Sequence, residues 1–184
     1  MKKNEEELYL YKVLPKYIDA LRDEENGGDK SVYMVAEGKE DRPFIGIVTI
    51  CNSRYYLIPL SSYKERFKYL TTKEPDFMPI YCKGKLVAGI EFNKMIPVPL
   101  NQIRPLDIIV RKHDSKRLID KKELRKYEYE WCNRHKDAII RKARSLYDLF
   151  RTKDPDYKNI KFCLDFYKLE KICDEYEKKH MPQH

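Results

Sequence analysis

The 184-residue sequence lacks the features that would place it in several large classes of protein. It has no apolar run approaching the ~20 residues that a membrane-spanning helix needs, and its first residues lack the apolar core of a signal peptide. Glycine numbers only 6, and neither a Gly-rich phosphate loop nor a Gly-x-Ser-x-Gly elbow is present. These absences exclude an integral membrane protein, disfavour P-loop nucleotide hydrolysis, and predict a soluble protein of the cytoplasm.

Cysteine and histidine are too few and too scattered to suggest a metal site. The chain has 5 cysteines and 4 histidines, with no Cys-x-x-Cys pair and no His-Glu-x-x-His motif. An odd number of dispersed cysteines argues against a disulfide framework and against a closed zinc site. The nearest approach to a ligand pair is Cys132 with His135, for which a buried thiol beside a surface histidine is the simpler interpretation. We therefore expect no metal ion and no cofactor.

Charge is what the sequence has in excess. Charged residues make up 37% of the chain, against an average of about 25%, and the formal net charge is +8. Residues 1–50 carry 8 basic and 11 acidic side chains, whereas residues 51–150 carry 22 basic and 12 acidic ones. A basic surface built from the middle of the chain suits a polyanion such as a nucleic acid, although many basic proteins bind only counterions.

The pattern of apolar residues predicts an α+β fold in one domain over 1–184, sheet-rich over 8–110 and helix-rich over 116–177. Strands are predicted at 8–13, 44–51, 54–60, 78–82, 85–91 and 106–110. A turn at 83–84 is expected to join the strands 78–82 and 85–91. The segment 92–99 is predicted to be extended and to lie at an edge or a strand end because of its prolines. The strands 44–51 and 54–60 are predicted to form a hairpin through a tight turn at 52–53, at the centre of a twisted, mainly antiparallel sheet. Helices are predicted from Pro15 to about 26, over 118–134, around 139–150, and from an Asp165 cap to about 176.

Two hydroxyls and a lysine follow directly on the predicted central hairpin. Ser61 and Ser62 stand where the buried strand ends, and Lys64 comes two residues later. Such a group can present hydroxyls, backbone N–H groups and an ammonium to one phosphate. The alternative is that Ser61 or Ser62 caps a helix at 63–69, and the two roles are compatible because a capped helix N-terminus also attracts anions.

Other candidate residues carry a cation or an aromatic ring. Arg42 lies near the start of the buried strand, and Tyr17 is a phenol on the first helix that a core position would also explain. The basic helices contain Lys122, Arg125, Lys126, Trp131 and Arg141. Together they could contact phosphates and stack on bases, and the alternative is a solvated amphipathic face.

Several segments, in order, resemble one known family. They are RPFIGIV at 42–48, YLIPLSSYK at 56–64 and NKMIPV at 93–98, with weaker matches at 16–18, 137–143 and 169–176. The set is similar to the ToxN/AbiQ toxins of type III toxin–antitoxin systems, and the resemblance runs from about residue 8 to about residue 176. It departs from the family at Tyr63, where relatives have proline, and over 27–41, which match poorly.

The resemblance implies a metal-independent endoribonuclease with a Kid/MazF-like sheet and a helical C-terminal third. It implies a small, repeat-encoded antitoxin RNA as inhibitory partner, cellular or phage mRNA as substrate, and growth arrest or abortive phage infection as outcome. The family's Leu-[Thr/Ser]-Ser-x-Lys motif falls on 60–64, its basic residue before a buried Phe on Arg42, and its helical tyrosine on Tyr17. The candidate catalytic residues are then Ser62, Ser61, Lys64, Arg42 and Tyr17, and the candidate RNA contacts are Tyr33, Lys94, Lys122, Arg125, Lys126, Trp131 and Arg141.

The mechanism expected from these groups is attack by the substrate's own 2′-hydroxyl, which leaves a 2′,3′-cyclic phosphate and a 5′-hydroxyl. Ser62 would orient the phosphate or help move a proton, while Lys64 and Arg42 would stabilise the charge that grows on its oxygens. Tyr17 could act as general acid or base only if those cations lowered its pKa. The alternatives are a non-catalytic RNA-binding protein and a basic structural or protein-interaction domain.

Overall fold

Most strands lie in the first part of the chain and most helices in the last. The computed structural model describes residues 7–34, 42–50, 54–153, 158 and 160–180, and at residues 47–50 it describes only the backbone. The described strands are β1 (Tyr9–Val13), β2 (Phe44–Ile50), β3 (Arg54–Ser62), β4 (Phe77–Cys82), β5 (Lys85–Glu91), β6 (Ile96–Pro97) and β7 (Ile103–Pro105). The described α-helices are α1 (Pro15–Arg22), α2 (Lys116–Arg134), α3 (Lys136–Thr152) and α4 (Phe166–His180). This arrangement confirms the α+β fold class.

The strands form one antiparallel sheet in the order β4-β5-β3-β2-β1-β7, with β6 also paired to β3. Strand β3 is central because β2 lies along one edge, while β6 and then β5 lie along the other. Its residues from Tyr56 to Ser61 are all buried, as expected for a continuous apolar run covered on both faces. The predicted hairpin at the sheet centre is confirmed, whereas Cys51 and the predicted turn at 52–53 lie outside the described residues.

A two-residue turn joins β4 to β5 at the predicted position. Lys83 and Gly84 both have positive φ, of 48° and 75°. Two positive φ values are the mark of the type I′ hairpin turn, whose twist matches that of the flanking strands. The turn sets the pairing of Cys82 with Lys85, and a bulge between Ile80 and Tyr81 then shifts the register by one residue, so that Met78 pairs with Ile90 and Phe77 with Glu91.

The helices cover the sheet with their apolar faces. Pro15 lies in the first turn of α1, and Asp165 accepts a hydrogen bond from the backbone N–H of Lys168, at 3.2 Å, at the start of α4. Helix α4 packs against α1 and β6, and α3 packs against β2. Within the ranges given above, none of the helices combines the length and the apolarity needed to cross a bilayer.

Three predictions about local structure are wrong. The segment 92–99 is not extended throughout, because Phe92–Lys94 form a 3₁₀ helix in which the N–H of Met95 donates to the carbonyl of Phe92. The segment 106–110 is not a strand, because Pro105 ends β7 and the Asp107 carboxylate then accepts a hydrogen bond from the backbone N–H of Ile109, at 3.1 Å, in a turn. Nor do Ser61 and Ser62 cap a helix at 63–69. Ser62 is still paired in the sheet, and the short 3₁₀ helix Glu65–Tyr69 follows Lys64 without a side-chain cap.

Candidate functional site

The buried carboxylate of Glu91, at the end of β5, accepts hydrogen bonds from four polar side chains. Glu91 is only 3% exposed and lies on the same face of the sheet as Ser61 of the neighbouring strand β3. One of its oxygens, Oε2, accepts hydrogen bonds from the hydroxyls of Ser61 and Tyr33, the latter at 2.6 Å, and from the ammonium of Lys64 at 3.0 Å. The other oxygen, Oε1, accepts a hydrogen bond from the guanidinium of Arg66. We call these residues, together with Arg42, the Glu91 cluster.

Lys64 lies at the centre of the cluster. Its Nζ atom is 3.1 Å from the hydroxyl oxygen of Tyr33 and 3.3 Å from Oγ of Ser61. It also lies 5.4 Å from the centre of the Phe67 ring, the distance of a cation–π contact. The lysine side chain nevertheless keeps 37% of its surface exposed, so its ammonium can reach an anionic ligand from solvent.

Arg42 joins the cluster through Tyr33. The carbon of its guanidinium lies 4.3 Å from the centre of the Tyr33 ring, the geometry of a cation–π contact. Its Nε atom is buried and has no hydrogen-bond partner within the described part of the chain. Arg42 and Tyr33, which lie far from Ser61 in sequence, are thus brought to the end of β3.

Ser62 differs from Ser61 in its surroundings. Successive residues of a strand point to opposite faces, so Ser61 is buried against Glu91 while Ser62, the last residue of β3, is exposed. The Ser62 side chain makes no hydrogen bond to any residue that the structure describes. Its hydroxyl is therefore open to a ligand, whereas that of Ser61 is committed to the cluster.

The hydrogen bonds of the cluster set the charge states of its acids. Burial alone would raise the pKa of Glu91, but the hydrogen bonds from Ser61, Tyr33 and Lys64 outweigh it and hold that pKa below the ordinary value of 4.5. Burial, together with the hydrogen bond to Glu91, raises the pKa of Tyr33 although Lys64 opposes the shift. At neutral pH Glu91 is thus a carboxylate and Tyr33 a protonated phenol.

Tyr17 is not part of this cluster. It is fully buried, and its hydroxyl donates a hydrogen bond of 2.8 Å to the backbone carbonyl of Pro97. Its ring packs edge-on against that of Tyr176, with the ring centres 5.0 Å apart. Burial raises the pKa of Tyr17 well above its ordinary value, so the lowered pKa that a role as general acid or base would require is not found. Tyr17 is a core residue between α1 and α4.

Two of the predicted RNA contacts on α2 are neutralised within the protein. Lys122 is 5% exposed, and its ammonium donates hydrogen bonds of 2.9 Å to the carbonyl of Ile109 and to Asp114, with Asp107 at 3.1 Å. This lysine fixes the segment 107–114 to α2. Arg125 likewise donates a 2.7 Å hydrogen bond to the buried carboxylate of Glu128. Lys122 and Arg125 also line a cavity of about 390 Å³ with Arg111 and Lys121, whereas Lys126 is exposed on the same helix.

Three further candidates, Trp131, Arg141 and Lys94, line two cavities. Trp131 and Arg141 line a cavity of about 720 Å³ with the half-exposed ring of Tyr81, which we call the Trp131 cavity. Lys94 lines another, of about 510 Å³, that also borders Glu91, Arg66 and the exposed ring of Phe162. We call this second one the Phe162 cavity. The structure thus places Trp131 and Arg141 in one cavity and Lys94 in another.

Sequence reasoning missed Glu91 and Arg66. The signal for Glu91 was a single carboxylate at the end of an otherwise apolar strand, a position where an acid needs partners to be buried. Nothing in the sequence pattern shows that those partners are Ser61, Lys64 and Tyr33. Within the same described residues, no three His, Cys, Asp or Glu side chains are grouped so that they could hold a metal ion.

Comparison with known proteins gives one family. A family model described as "Toxin ToxN, type III toxin-antitoxin system" matches residues 9–174. Endoribonuclease ToxN of Bacillus thuringiensis subsp. kurstaki is 26% identical over 185 residues, covering 96% of this chain and 88% of that protein. The match runs through both the Glu91 cluster and the helical part.

Solved structures share the fold. The lactococcal anti-phage endoribonuclease AbiQ, of a type III toxin–antitoxin system, has a TM-score of 0.76 at 23% identity and covers 94% of this chain and 99% of its own. A structure from work on selective toxin inhibition by a non-coding RNA pseudoknot has a TM-score of 0.77 at 23% identity, with the same coverage. A third, from work on a processed non-coding RNA that regulates a bacterial antiviral system, has a TM-score of 0.69 at 19% identity, covering 91% of this chain and 98% of that one. The expected ToxN/AbiQ-like fold is confirmed.

Proposed function

The chain belongs to the ToxN family of type III toxin–antitoxin toxins, and we propose that it is an endoribonuclease whose cleavage site is the Glu91 cluster. The observation that carries this proposal is the gathering of three cations, Lys64, Arg66 and Arg42, around Glu91 and Tyr33 at the end of β3, the strand whose last residue is the exposed Ser62. Accessible cations are what a phosphate undergoing transfer requires. The relative from Bacillus thuringiensis and the lactococcal AbiQ are both endoribonucleases.

In the proposed reaction the 2′-hydroxyl of one nucleotide attacks the phosphorus of the next phosphate. Its oxygen loses a proton and forms the new O–P bond, while the 5′-oxygen of the following nucleotide leaves and gains a proton. The products are a 2′,3′-cyclic phosphate and a 5′-hydroxyl. The Ser62 hydroxyl holds a phosphate oxygen, and Lys64 and Arg42 stabilise the negative charge that grows on the phosphate. We propose that this chemistry needs no metal ion, because these cations supply the charge stabilisation.

Glu91 is a positioning residue in this mechanism. With both oxygens occupied by hydrogen-bond donors and its surface buried, it holds the ammonium of Lys64 and the hydroxyl of Ser61 in place. Holding a cation in place before the reaction avoids the cost of reorganising it as charge develops. Ser61 and Tyr33 complete the same network, since each donates its hydroxyl proton to Glu91.

We propose that a small, repeated antitoxin RNA inhibits the protein by covering this site. A relative in the same fold is inhibited by a non-coding RNA pseudoknot, and the net charge of +8 suits a polyanionic partner. Lys126 and the Trp131 cavity, with Arg141, provide further places for phosphate and base contacts. The expected biological outcome is growth arrest or abortive phage infection through cleavage of cellular or phage mRNA.

Ser62→Ala tests the assignment. We expect the purified variant to cleave an end-labelled RNA at least about 100-fold more slowly than the wild type, because a donor to the transferring phosphate is lost. Its affinity for the antitoxin RNA should change little. The matched control is Ser115→Ala, which removes the hydroxyl that caps α2 and should lower stability by about 1 kcal/mol while leaving cleavage intact.

Full cleavage by Ser62→Ala would remove Ser62 from the mechanism. If the wild-type protein bound RNA tightly but did not cleave it, the alternative function, a non-catalytic RNA-binding protein, would be favoured.

A further inference from the structure

The Phe162 cavity extends the Glu91 cluster on one side. It shares Glu91 and Arg66 with the cluster, and its volume of about 510 Å³ lies within the ~300–1,000 Å³ typical of small-ligand pockets. Phe162 is 55% exposed, so its ring is accessible to a planar ligand. Lys161 lies beside that ring, with its Nζ atom 5.2 Å from the ring centre, and Lys94 lines the same cavity.

The acidic residues of this cavity are not equivalent. Asp29 accepts a hydrogen bond from the backbone N–H of Ser31, at 2.7 Å, and Glu74 accepts hydrogen bonds from both the backbone and the hydroxyl of Thr71. These two carboxylates serve local turns. The carboxylate of Asp76 accepts no hydrogen bond from any residue that the structure describes, although the ammonium of Lys142 lies near enough to interact with its charge. It can therefore still accept a hydrogen bond from a ligand.

We propose that the Phe162 cavity holds one nucleobase of the RNA, next to the cleaved phosphate, and selects a base that carries an exocyclic amino group. The inference rests on the proposed function and names the base that the same site prefers. The base stacks on Phe162, Lys94 and Lys161 contact the flanking phosphates, and the amino group donates a hydrogen bond to Asp76. Uracil presents a keto oxygen where cytosine presents an amino group, so a carboxylate there disfavours uracil.

The test measures binding rather than cleavage. Fully 2′-O-methylated hexamers of cytosine and of uracil cannot undergo attack by a 2′-hydroxyl, and they differ in the amino or keto group on each base. We expect the wild-type protein to bind the cytosine hexamer about 10-fold or more tightly by fluorescence anisotropy, which is the discrimination that a good base contact provides. Asp76→Asn should bring the two dissociation constants together. Phe162→Ala should weaken binding of both hexamers by about 10-fold, because the stacking surface is lost.

Tyr167→Ala is the control, since Tyr167 is an aromatic residue of similar exposure, 46%, that does not line the cavity. It should bind both hexamers as the wild type does. Equal affinity of the wild type for the two hexamers, or a preference unchanged in Asp76→Asn, would overturn the inference even if the protein cleaves RNA. A preference that depends on Asp76 in a protein that cleaves no RNA would support the base site and overturn the proposed nuclease function instead.

Discussion

Two basic regions of the molecule, the Glu91 cluster and the lysine–arginine face of α2, differ in what neutralises their cations. In the cluster, Lys64 and Arg66 share one carboxylate and keep 37% and 60% of their side-chain surfaces exposed. On α2, Lys122 is paired with two carboxylates, and only 6% of its side chain is exposed. A count of basic residues cannot separate the two. An excess of accessible cations over carboxylates marks the place where a phosphate can bind, and full pairing marks a structural lysine.

The largest contrast should come from two lysine variants. Lys64→Ala is expected to slow RNA cleavage by about 100- to 1,000-fold, because it removes charge stabilisation at the phosphate. Lys122→Ala should leave cleavage by the folded protein unchanged but lower the urea midpoint, because it removes the buried ammonium shared by Asp107 and Asp114, of which Asp107 still pairs with Arg111. Initial rates on end-labelled RNA and urea unfolding curves measure the two effects. If folded Lys122→Ala lost cleavage as well, the distinction between the two regions would not hold.

Two buried glutamates sharpen the comparison further. Glu91→Gln keeps the shape of the side chain but loses its charge, so Lys64 is no longer held and cleavage should fall by about 100-fold. Glu128→Gln alters the ion pair with Arg125 on α2 and should leave the cleavage rate within about twofold of the wild type. The same RNA assay decides, with circular dichroism to confirm that both variants fold. Equal loss of cleavage in both would mean that general stability, not local positioning, sets the rate.

A smaller effect is expected where RNA is bound but not cleaved. Trp131→Ala and Arg141→Ala should each weaken antitoxin RNA binding by about 10-fold, since they remove a stacking surface and a phosphate contact from the Trp131 cavity. The cleavage rate at saturating substrate should not change. Arg117→Ala removes an exposed cation near the start of α2, about 20 Å along the helix from Trp131, and serves as the control. Identical losses in all three variants would point to overall charge rather than to this cavity.

The smallest effect is on the pH dependence of stability, where the two glutamates should act in opposite directions. The pKa of Glu91 is lowered by its donors, so its stabilising contribution is complete above pH 4.5 and is lost as the pH falls through the lowered value. Burial raises the pKa of Glu128 despite the charge of Arg125, so stability is lost as the pH rises from 4.5 through that raised value.

Urea unfolding between pH 3 and pH 8 checks this, with each Glu→Gln variant as reference. As the pH rises, the wild type should gain stability relative to Glu91→Gln and lose stability relative to Glu128→Gln. Parallel curves for the two variants would contradict the assigned environments.

Much of the fold was predictable because its signals are local. The continuous apolar run of β3, the Pro15 start of α1 and the Asp165 cap of α4 each depend on a few adjacent residues. The predicted strand at 106–110 failed because Pro105 ends β7 and the chain then turns at Asp107, a conformation held by a distant contact in which Lys122 donates to the Ile109 carbonyl across 13 positions. No periodicity reports such a contact.

The candidate site was predictable only in part, for the same reason. Ser61, Ser62 and Lys64 are adjacent in sequence and could be grouped from it, and the resemblance added Arg42. Glu91 lies 27 positions from Lys64, and its role depends on the pairing of β3 with β5. Tyr17 was a candidate that the structure does not bring to the site. The sequence cannot distinguish a tyrosine in the core from a catalytic tyrosine on the same helix, and the structure places Tyr17 in the core.

The central claim is that the cluster cleaves RNA by attack of the substrate's own 2′-hydroxyl without a metal ion. The most direct measurement is to incubate the wild-type protein with end-labelled RNA in excess EDTA, map the fragment ends, and repeat with a single 2′-deoxynucleotide at the mapped cut. We expect 2′,3′-cyclic phosphate and 5′-hydroxyl ends, and no cut at the deoxy position. Fragments with 5′-phosphate ends, cutting at the deoxynucleotide, or activity that EDTA abolishes and Mg²⁺ restores would contradict it.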